Sequence, residues 1–293
     1  MSFKILYAKN LLAKFISQLV YPLENAIFEI FHNEYTILTT SVKPFKHNWG
    51  DDVSIVLARL INPDQHFIVN RYSWNIKKKD NILCIGSIIS WMTTHNSIIW
   101  GSGVVYPDHP ISAIPKKILA VRGPLTREYL LKQNINCPEI YGDPALLFPQ
   151  YYSPPKIKKY KIGIIPHFRD KNNQIWEKFK KDHDVFIIDV QNVYPWSQFI
   201  DDICSCEKLL TSSLHGLIIA DSYSIPNVWI ELESGESKRF AFLDYLKSVN
   251  KDEIKAPIVI NDDTNLYDVL KITELWRQGT IDLEPLIKVC PFK

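Results

Sequence analysis

The stretch Lys208-Leu209-Leu210-Thr211-Ser212-Ser213-Leu214-His215-Gly216-Leu217-Ile218-Ile219-Ala220-Asp221 passes from a short apolar run, through two serines, into a longer one. A strand over 208–211, a serine cap and a helix over 214–224 make one strand-to-helix step of a parallel sheet. The same alternation extends outward in both directions. Residues 35–40, 66–70, 81–85, 97–100 and 117–121 read as strands, with helices over 52–60 and 124–132. Strands over 161–166, 185–190 and 227–231 flank the opening stretch, with helices over 173–181, 195–206 and 238–248. Between the two series PQYYSPPKIKKY, residues 149–160, carries neither hydrophobic period and marks a boundary between domains 1–150 and 151–293. No repeat or low-complexity tract is present, so two α/β domains facing across a cleft are expected.

Composition narrows the function. The chain of 293 residues is 46% hydrophobic and 23% charged, which fits a folded, soluble protein with one or two sizeable cores. Its 34 basic against 32 acidic residues give a net charge of +2, so binding dominated by nucleic-acid phosphates is not expected. Five cysteines, paired closely only as C-x-C, read as reduced and cytosolic. Eight histidines lack metal-ligand spacing, and no metal is expected. No secretory signal or spanning segment is read, and residues 11–31 are expected to form an amphipathic arm broken at Pro22 that packs on the body or on a partner chain, a membrane-surface helix being the alternative.

Glycine is scarce, 10 against 18 prolines, so its placement is informative. Gly50, Gly86, Gly101, Gly103, Gly142 and Gly216 adjoin predicted strand ends, outside which open α/β sheets bind ligands. In the opening stretch His215, beside Ser212, Ser213 and Gly216, falls in the first helical turn, where unpaired N–H groups attract an anion. The helix dipole should lower its pKa in an empty site and a bound anion should restore it, making His215 a proton donor on demand. A hydrogen-bonded structural histidine is the alternative. In Val121-Arg122-Gly123-Pro124-Leu125-Thr126-Arg127, Arg122 at a strand tip suits a bidentate grip on carboxylate or phosphate. Arg127, in the first turns of the next helix, needs either a ligand anion or an ordinary ion pair.

In His47-Asn48-Trp49-Gly50-Asp51-Asp52, Asn48 and Gly50 tolerate unusual backbone angles, Asp52 reads as a cap and Asp51 as a base or hydroxyl-orienting group. Gly101-Ser102-Gly103 suggests close approach of backbone to a ligand, short of a dinucleotide fingerprint. His167 and Arg169 offer an imidazole and a guanidinium from the second domain, and Asp143 reads as a structural cap. No nucleophile elbow, Walker loop or zincin motif is present.

The blocks HNWGDD, CIGSII, IIWGSGV, VRGPLTREYL, YGDPALL and SSLHGLIIADSYSIP, in this order across residues 35–250, resemble the polysaccharide pyruvyl transferase family. The 34 residues before the first strand depart from it. The resemblance implies two Rossmann-like domains in a GT-B-like arrangement, and transfer of pyruvate from phosphoenolpyruvate to a sugar as a cyclic ketal. Carried onto matching positions, it implies His215 and Arg122 as catalytic residues with Arg127 beside them. His215 would protonate C3 while a sugar hydroxyl attacks C2, the arginines would hold the anion, and Asp51 would act as base. His167 and Arg169 would complete the phosphate site. The implied partners are phosphoenolpyruvate and a sugar or oligosaccharide acceptor, with no cofactor beyond the donor. The sequence is compatible with a lipid-linked acceptor at the inner membrane face and with self-association. A sugar-nucleotide-dependent glycosyltransferase and a non-catalytic glycan-assembly subunit are the other readings of the same frame.

Overall fold

The computed structural model describes residues 23, 27, 34–41, 47–71, 79–233 and 238–293. But for two positions, the arm expected over 11–31 lies outside the described residues. Among the described residues, two five-stranded sheets, both wholly parallel, organise the chain. The first contains β1 (Thr36–Thr40), β2 (Phe67–Arg71), β3 (Asn81–Leu83), β4 (Ser97–Trp100) and β5 (Lys117–Ala120), in the order β2-β1-β3-β4-β5. The second contains β6 (Tyr160–Ile165), β7 (Val185–Ile187), β8 (Cys206–Thr211), β9 (Asn227–Leu232) and β10 (Ile258–Ile260), in the order β10-β9-β8-β6-β7. Read from its other edge, the second order repeats the first. The halves therefore share one doubly wound, Rossmann-like topology without sharing a sequence repeat. In each sheet the winding reverses beside the first strand, between β1 and β3 and between β6 and β8.

Helices α1 (Trp49–Asp52) and α2 (Ser54–Ile61) follow β1, α3 (Ile89–Met92) follows β3, and α4 (Pro124–Leu131) follows β5. In the second half α5 (Gln174–Phe179) follows β6, α6 (Trp196–Cys204) follows β7, α7 (Leu214–Ser222) follows β8 and α8 (Arg239–Ser248) follows β9. Helices α9 (Leu266–Lys271) and α10 (Glu284–Lys288) complete the chain. Local chemistry sets several starts: Pro124 occupies the first turn of α4, Asn173 caps α5 by accepting from the Ile175 N–H, and Ser213 caps α7. Four predicted strands end earlier than expected: β5 and β6 by one residue, β3 at Leu83, ahead of Gly86 at φ +123°, and β7 at Ile187. The three-residue β10 and four-residue α3 were not expected from sequence, being too short to display a period.

One apolar core passes through both halves, and Trp49 joins them. Its ring lies 4.9 Å from Phe199 and 5.4 Å from Phe148, its Nε1–H donates to the Trp196 carbonyl at 2.7 Å, and its backbone N–H donates to the Val190 carbonyl at 2.8 Å. The chain's last residues return to the first sheet: Trp100 Nε1–H donates to the Leu286 carbonyl at 2.9 Å, and Phe292 packs edge-on against Trp100 and Phe67. Among the described residues no helix is long and apolar enough to cross a membrane.

Candidate active site

The two winding reversals face each other across a cavity of about 910 Å³. From the first half it is lined by Ser41 after β1, Asn48 and Asp51 at α1, Ser87 to Trp91 around α3, and residues of the loop 105–112. From the second half come His167, Phe168 and Arg169 after β6, Ser212 to His215 after β8, and Lys238 before α8. The walls are thus loops leaving the carboxyl ends of strands, where backbone ends and helix starts converge.

His215 occupies the first turn of α7 and is 6% exposed. Its ring lies against Gly50: a Cβ there would sit 1.8 Å from Nδ1, so only glycine admits the imidazole. Its Nε2 faces Asp143 Oδ2 at 3.9 Å, and both atoms are enclosed without a hydrogen-bond partner. The other Asp143 oxygen accepts from the Ala145 N–H at 3.0 Å and caps the 3-10 turn Pro144–Gln150. Burial, helped by the charges of Arg122 and Lys238, holds the His215 pKa down at about 3. The direction is the one expected from the sequence, but burial rather than the helix dipole is the main cause. Burial also lifts the Asp143 carboxyl to about 6, against the pull of Arg122.

A cationic wall stands beside His215. Lys238 Nζ donates to His167 Nε2 at 2.9 Å, and the His167 backbone N–H donates to Ser212 Oγ at 2.8 Å, joining the ends of β6 and β8. Desolvation, with Lys238 and Arg169 adding to it, lowers His167 to about 2, so it faces the cavity as a neutral ring. Burial and the neighbouring Arg169 lower Lys238 to about 8. Arg169 lies over the Phe168 ring, 5.6 Å from its centroid. On the other wall burial raises the Asp51 pKa, while Asn48 Nδ2 donates to its Oδ2 at 3.0 Å. A lysine, an arginine and two imidazoles facing a basic carboxylate can hold a small dianion and move protons beside it.

The structure places Arg122 elsewhere than expected. It is fully buried and does not line the cavity. Its Nε donates to Asp244 Oδ2 at 3.2 Å, its Nη1 to Ser87 Oγ at 2.6 Å and its Nη2 to the Val104 carbonyl at 2.9 Å. Asp244, on α8, also accepts from the Thr126 N–H at 2.8 Å and from Thr126 Oγ1 at 2.6 Å. The anion expected at the start of α4 is therefore supplied by the protein itself. A Cβ on Gly123 would meet the Asp244 carbonyl at 2.1 Å, so this motif forms the joint between α4 and α8. Arg122 reaches the site through Ser87 and through its charge on His215 and Asp143. Arg127 also points away: its Nε donates to the Cys137 carbonyl, it pairs with Glu139 at 3.1 Å, and it hydrogen-bonds the Tyr141 side chain.

The glycine loops pack rather than line the cavity. Gly101 lies against Pro144, Gly103 against the Arg122 guanidinium, and Ser102 Oγ donates to the Gly86 carbonyl at 2.7 Å. Gly216 is pressed on Thr211, where a Cβ would lie 2.6 Å from Oγ1. These residues are small because neighbouring elements close over them. Of the residues singled out from sequence, Asp51, Asn48, His167, Arg169, Ser212, Ser213 and His215 share the cavity, and Gly50 lies beneath the imidazole.

The model of the family described as polysaccharide pyruvyl transferase matches residues 21–234, nearly three quarters of the sequence. The chain belongs to the polysaccharide pyruvyl transferase family. It is 31% identical over 215 residues to uncharacterized protein L143 of Acanthamoeba polyphaga mimivirus, covering 68% of this chain and 70% of that one. It is 26% identical over 200 residues to succinoglycan biosynthesis protein ExoV of Rhizobium meliloti (strain 1021), covering 65% of this chain and 57% of ExoV. A solved structure from Klebsiella pneumoniae subsp. pneumoniae NTUH-K2044, titled as functional uncharacterized protein KP1_0663, aligns at a TM-score of 0.45 and 14% identity, over 82% of this chain and 98% of that one.

Within this pyruvyl transferase family member, sequence reading missed Lys238, Trp91 and the position of Asp143 opposite His215. Lys238 carries no local signal, since a lone lysine before a helix reads as surface. Asp143 stands between Gly142 and Pro144 and was legible as a cap, which it is; its second oxygen faces His215, a residue of the other half that local sequence cannot bring beside it.

Proposed function

We propose that the protein transfers the pyruvyl group of phosphoenolpyruvate to two hydroxyls of one sugar as a cyclic ketal, from a GT-B-like frame. The observation that carries this reading is the cavity at the facing winding reversals, with Lys238, Arg169 and His167 on one side, Asp51 on the other and His215 enclosed between them. The donor's phosphate and carboxylate lie against Lys238 and Arg169. Their negative charge raises the depressed pKa of His215, so the imidazole takes up a proton when the donor is present. That proton passes to C3 as the first hydroxyl oxygen bonds to C2, and Asp51 accepts the hydroxyl proton. The second hydroxyl then bonds to C2 as the C2–O bond to phosphate breaks, and its proton leaves with the phosphate. Counted over both steps, one hydroxyl hydrogen ends on the new methyl group through solvent exchange and the other on phosphate.

The cavity is wider than a three-carbon phosphate ester requires, and its remaining wall carries Trp91, Tyr106 and Ile111. We assign this wall to the acceptor, whose apolar ring face packs on aromatic surface while its hydroxyls reach Asp51. The deciding experiment is thermal stabilisation by phosphoenolpyruvate set beside UDP, CMP and phosphate, with Arg169→Ala as control. A ligand at a hundred times its Kd adds about 2.7 kcal/mol to stability. Stabilisation by phosphoenolpyruvate, lost in the variant, is the expected outcome. Stabilisation by a nucleotide alone overturns the donor assignment in favour of glycosyl transfer.

A further inference from the structure

The buried carboxylate of Asp143 has one oxygen committed and one not. Oδ1 accepts from the Ala145 N–H, whereas Oδ2 is enclosed, has no partner, and faces the equally enclosed and partnerless Nε2 of His215 at 3.9 Å. Among the described residues these are the two enclosed side-chain polar atoms in that condition. Leaving such atoms unpaired is costly, and the few that native structures keep include groups with a catalytic role. The separation exceeds a hydrogen bond by about 1 Å, a gap that catalytic contacts commonly close when substrate binds. The opposite ring nitrogen, Nδ1, lies against Gly50, whose neighbours Asn48 and Asp51 line the cavity.

We infer that Asp143 is the positioning residue of His215: it holds the tautomer with hydrogen on Nε2 and so makes Nδ1 the nitrogen that gives and takes the proton on the substrate side. This rests on the pyruvyl-transfer reading of the cavity for its catalytic consequence, but not for the tautomer itself. In the empty site the imidazole is neutral, with Nε2–H directed at Asp143 Oδ2 and a bare lone pair on Nδ1. Protonation at Nδ1 gives an imidazolium whose Nε2–H remains on the carboxylate. Transfer of the Nδ1 proton to carbon restores the same neutral tautomer. Arg122 and Lys238 act on the imidazole through their charges, Arg122 and Asp244 act on Asp143, and Asp51, His167 and Arg169 share the cavity. None of these charged groups supplies a second acceptor for Nε2, because that nitrogen is enclosed facing Asp143.

The test combines nitrogen NMR with kinetics on the full chain. In protein carrying 15N-histidine, the His215 ring signals, identified by their loss in His215→Asn, are expected to show a protonated Nε2 and a bare Nδ1 at neutral pH. In Asp143→Asn the amide oxygen can keep the Ala145 contact while the amide nitrogen donates to Nε2, forcing the hydrogen to Nδ1. The expected result is that tautomer switch, with kcat reduced by about a hundredfold or more and KM for phosphoenolpyruvate changed by about twofold or less. A wild-type spectrum with hydrogen on Nδ1, or wild-type kcat in Asp143→Asn, overturns the inference. If the tautomer is as assigned and no pyruvyl transfer occurs, the activity reading fails while the Asp143–His215 assignment stands. Should the variant fail to fold, the wild-type spectrum still decides.

Discussion

Gly50 and His215 occupy one another's space: a Cβ at position 50 would fall 1.8 Å from Nδ1 and 2.3 Å from Cγ of the imidazole. The glycine of one half is thus the floor on which the histidine of the other half rests. Gly50→Ala is expected to tilt or expel the ring, costing about 1–3 kcal/mol of stability as an overpacked core position does. The activity loss should exceed what the stability loss explains. Melting curves and kcat measured together check this, and an alanine variant with normal kcat would mean that the imidazole need not lie there.

Two arginines named from sequence should separate cleanly. Arg122→Ala removes one member of a buried ion pair and leaves the Asp244 charge buried with only its Thr126 hydrogen bonds, an expected loss of about 3–5 kcal/mol. Arg169→Ala is at an exposed cavity position and should alter stability by less than about 0.5 kcal/mol while weakening donor binding. Denaturant titration of both variants is the measurement; similar melting behaviour in the two would contradict the placement of Arg122.

Lys238 should give donor binding a pH limit. Its pKa is depressed to about 8, so the empty site loses this positive charge as pH rises through that value. Phosphoenolpyruvate affinity should therefore fall above about pH 8 in the native protein and lose that dependence in Lys238→Gln. Calorimetric Kd values from pH 6.5 to 9.5 test it, and a flat native profile would rule the lysine out as donor ligand.

Asp143 should reduce stability at neutral pH. Its folded pKa, about 6, lies above the ordinary value of 3.8, so the folded state holds the proton more tightly between the two. The associated stability is present below about pH 4 and lost as pH rises through 6. Asp143→Asn carries no such loss, so its advantage over wild type should grow from pH 4 to 7 toward about 3 kcal/mol. A difference independent of pH would show that the carboxyl is not perturbed.

Trp91, 42% exposed on the cavity wall, is the assigned acceptor platform. Trp91→Ala should raise the acceptor KM about tenfold or more, with the KM for phosphoenolpyruvate unchanged. Initial rates with each substrate varied in turn separate the two, and an equal rise in both would place the indole elsewhere in the reaction.

Much of this architecture is legible along the chain because it is local. The nine expected strands and the principal helices follow from apolar period, proline and serine placement, each decided within about ten residues. His215 and Asp51 were legible for the same reason, since a polar group just past a strand stands at the sheet's carboxyl edge. The anion site expected at Arg122 illustrates the limit. Strand tip, arginine and helix start are all present, yet the anion is Asp244, more than a hundred residues later in the chain.

What the sequence by itself determined is the α/β class, the alternation of elements and the family. What only the tertiary structure decided is which polar ends meet: that Lys238 joins His167, that Arg122 is walled in by Asp244, and that Asp143 turns its free oxygen to His215. The physical reason is range. Helix and strand signals come from neighbours in sequence. Burial and electrostatic pairing arise between residues that approach only when both sheets wind in the same order and the chain's return packs them face to face.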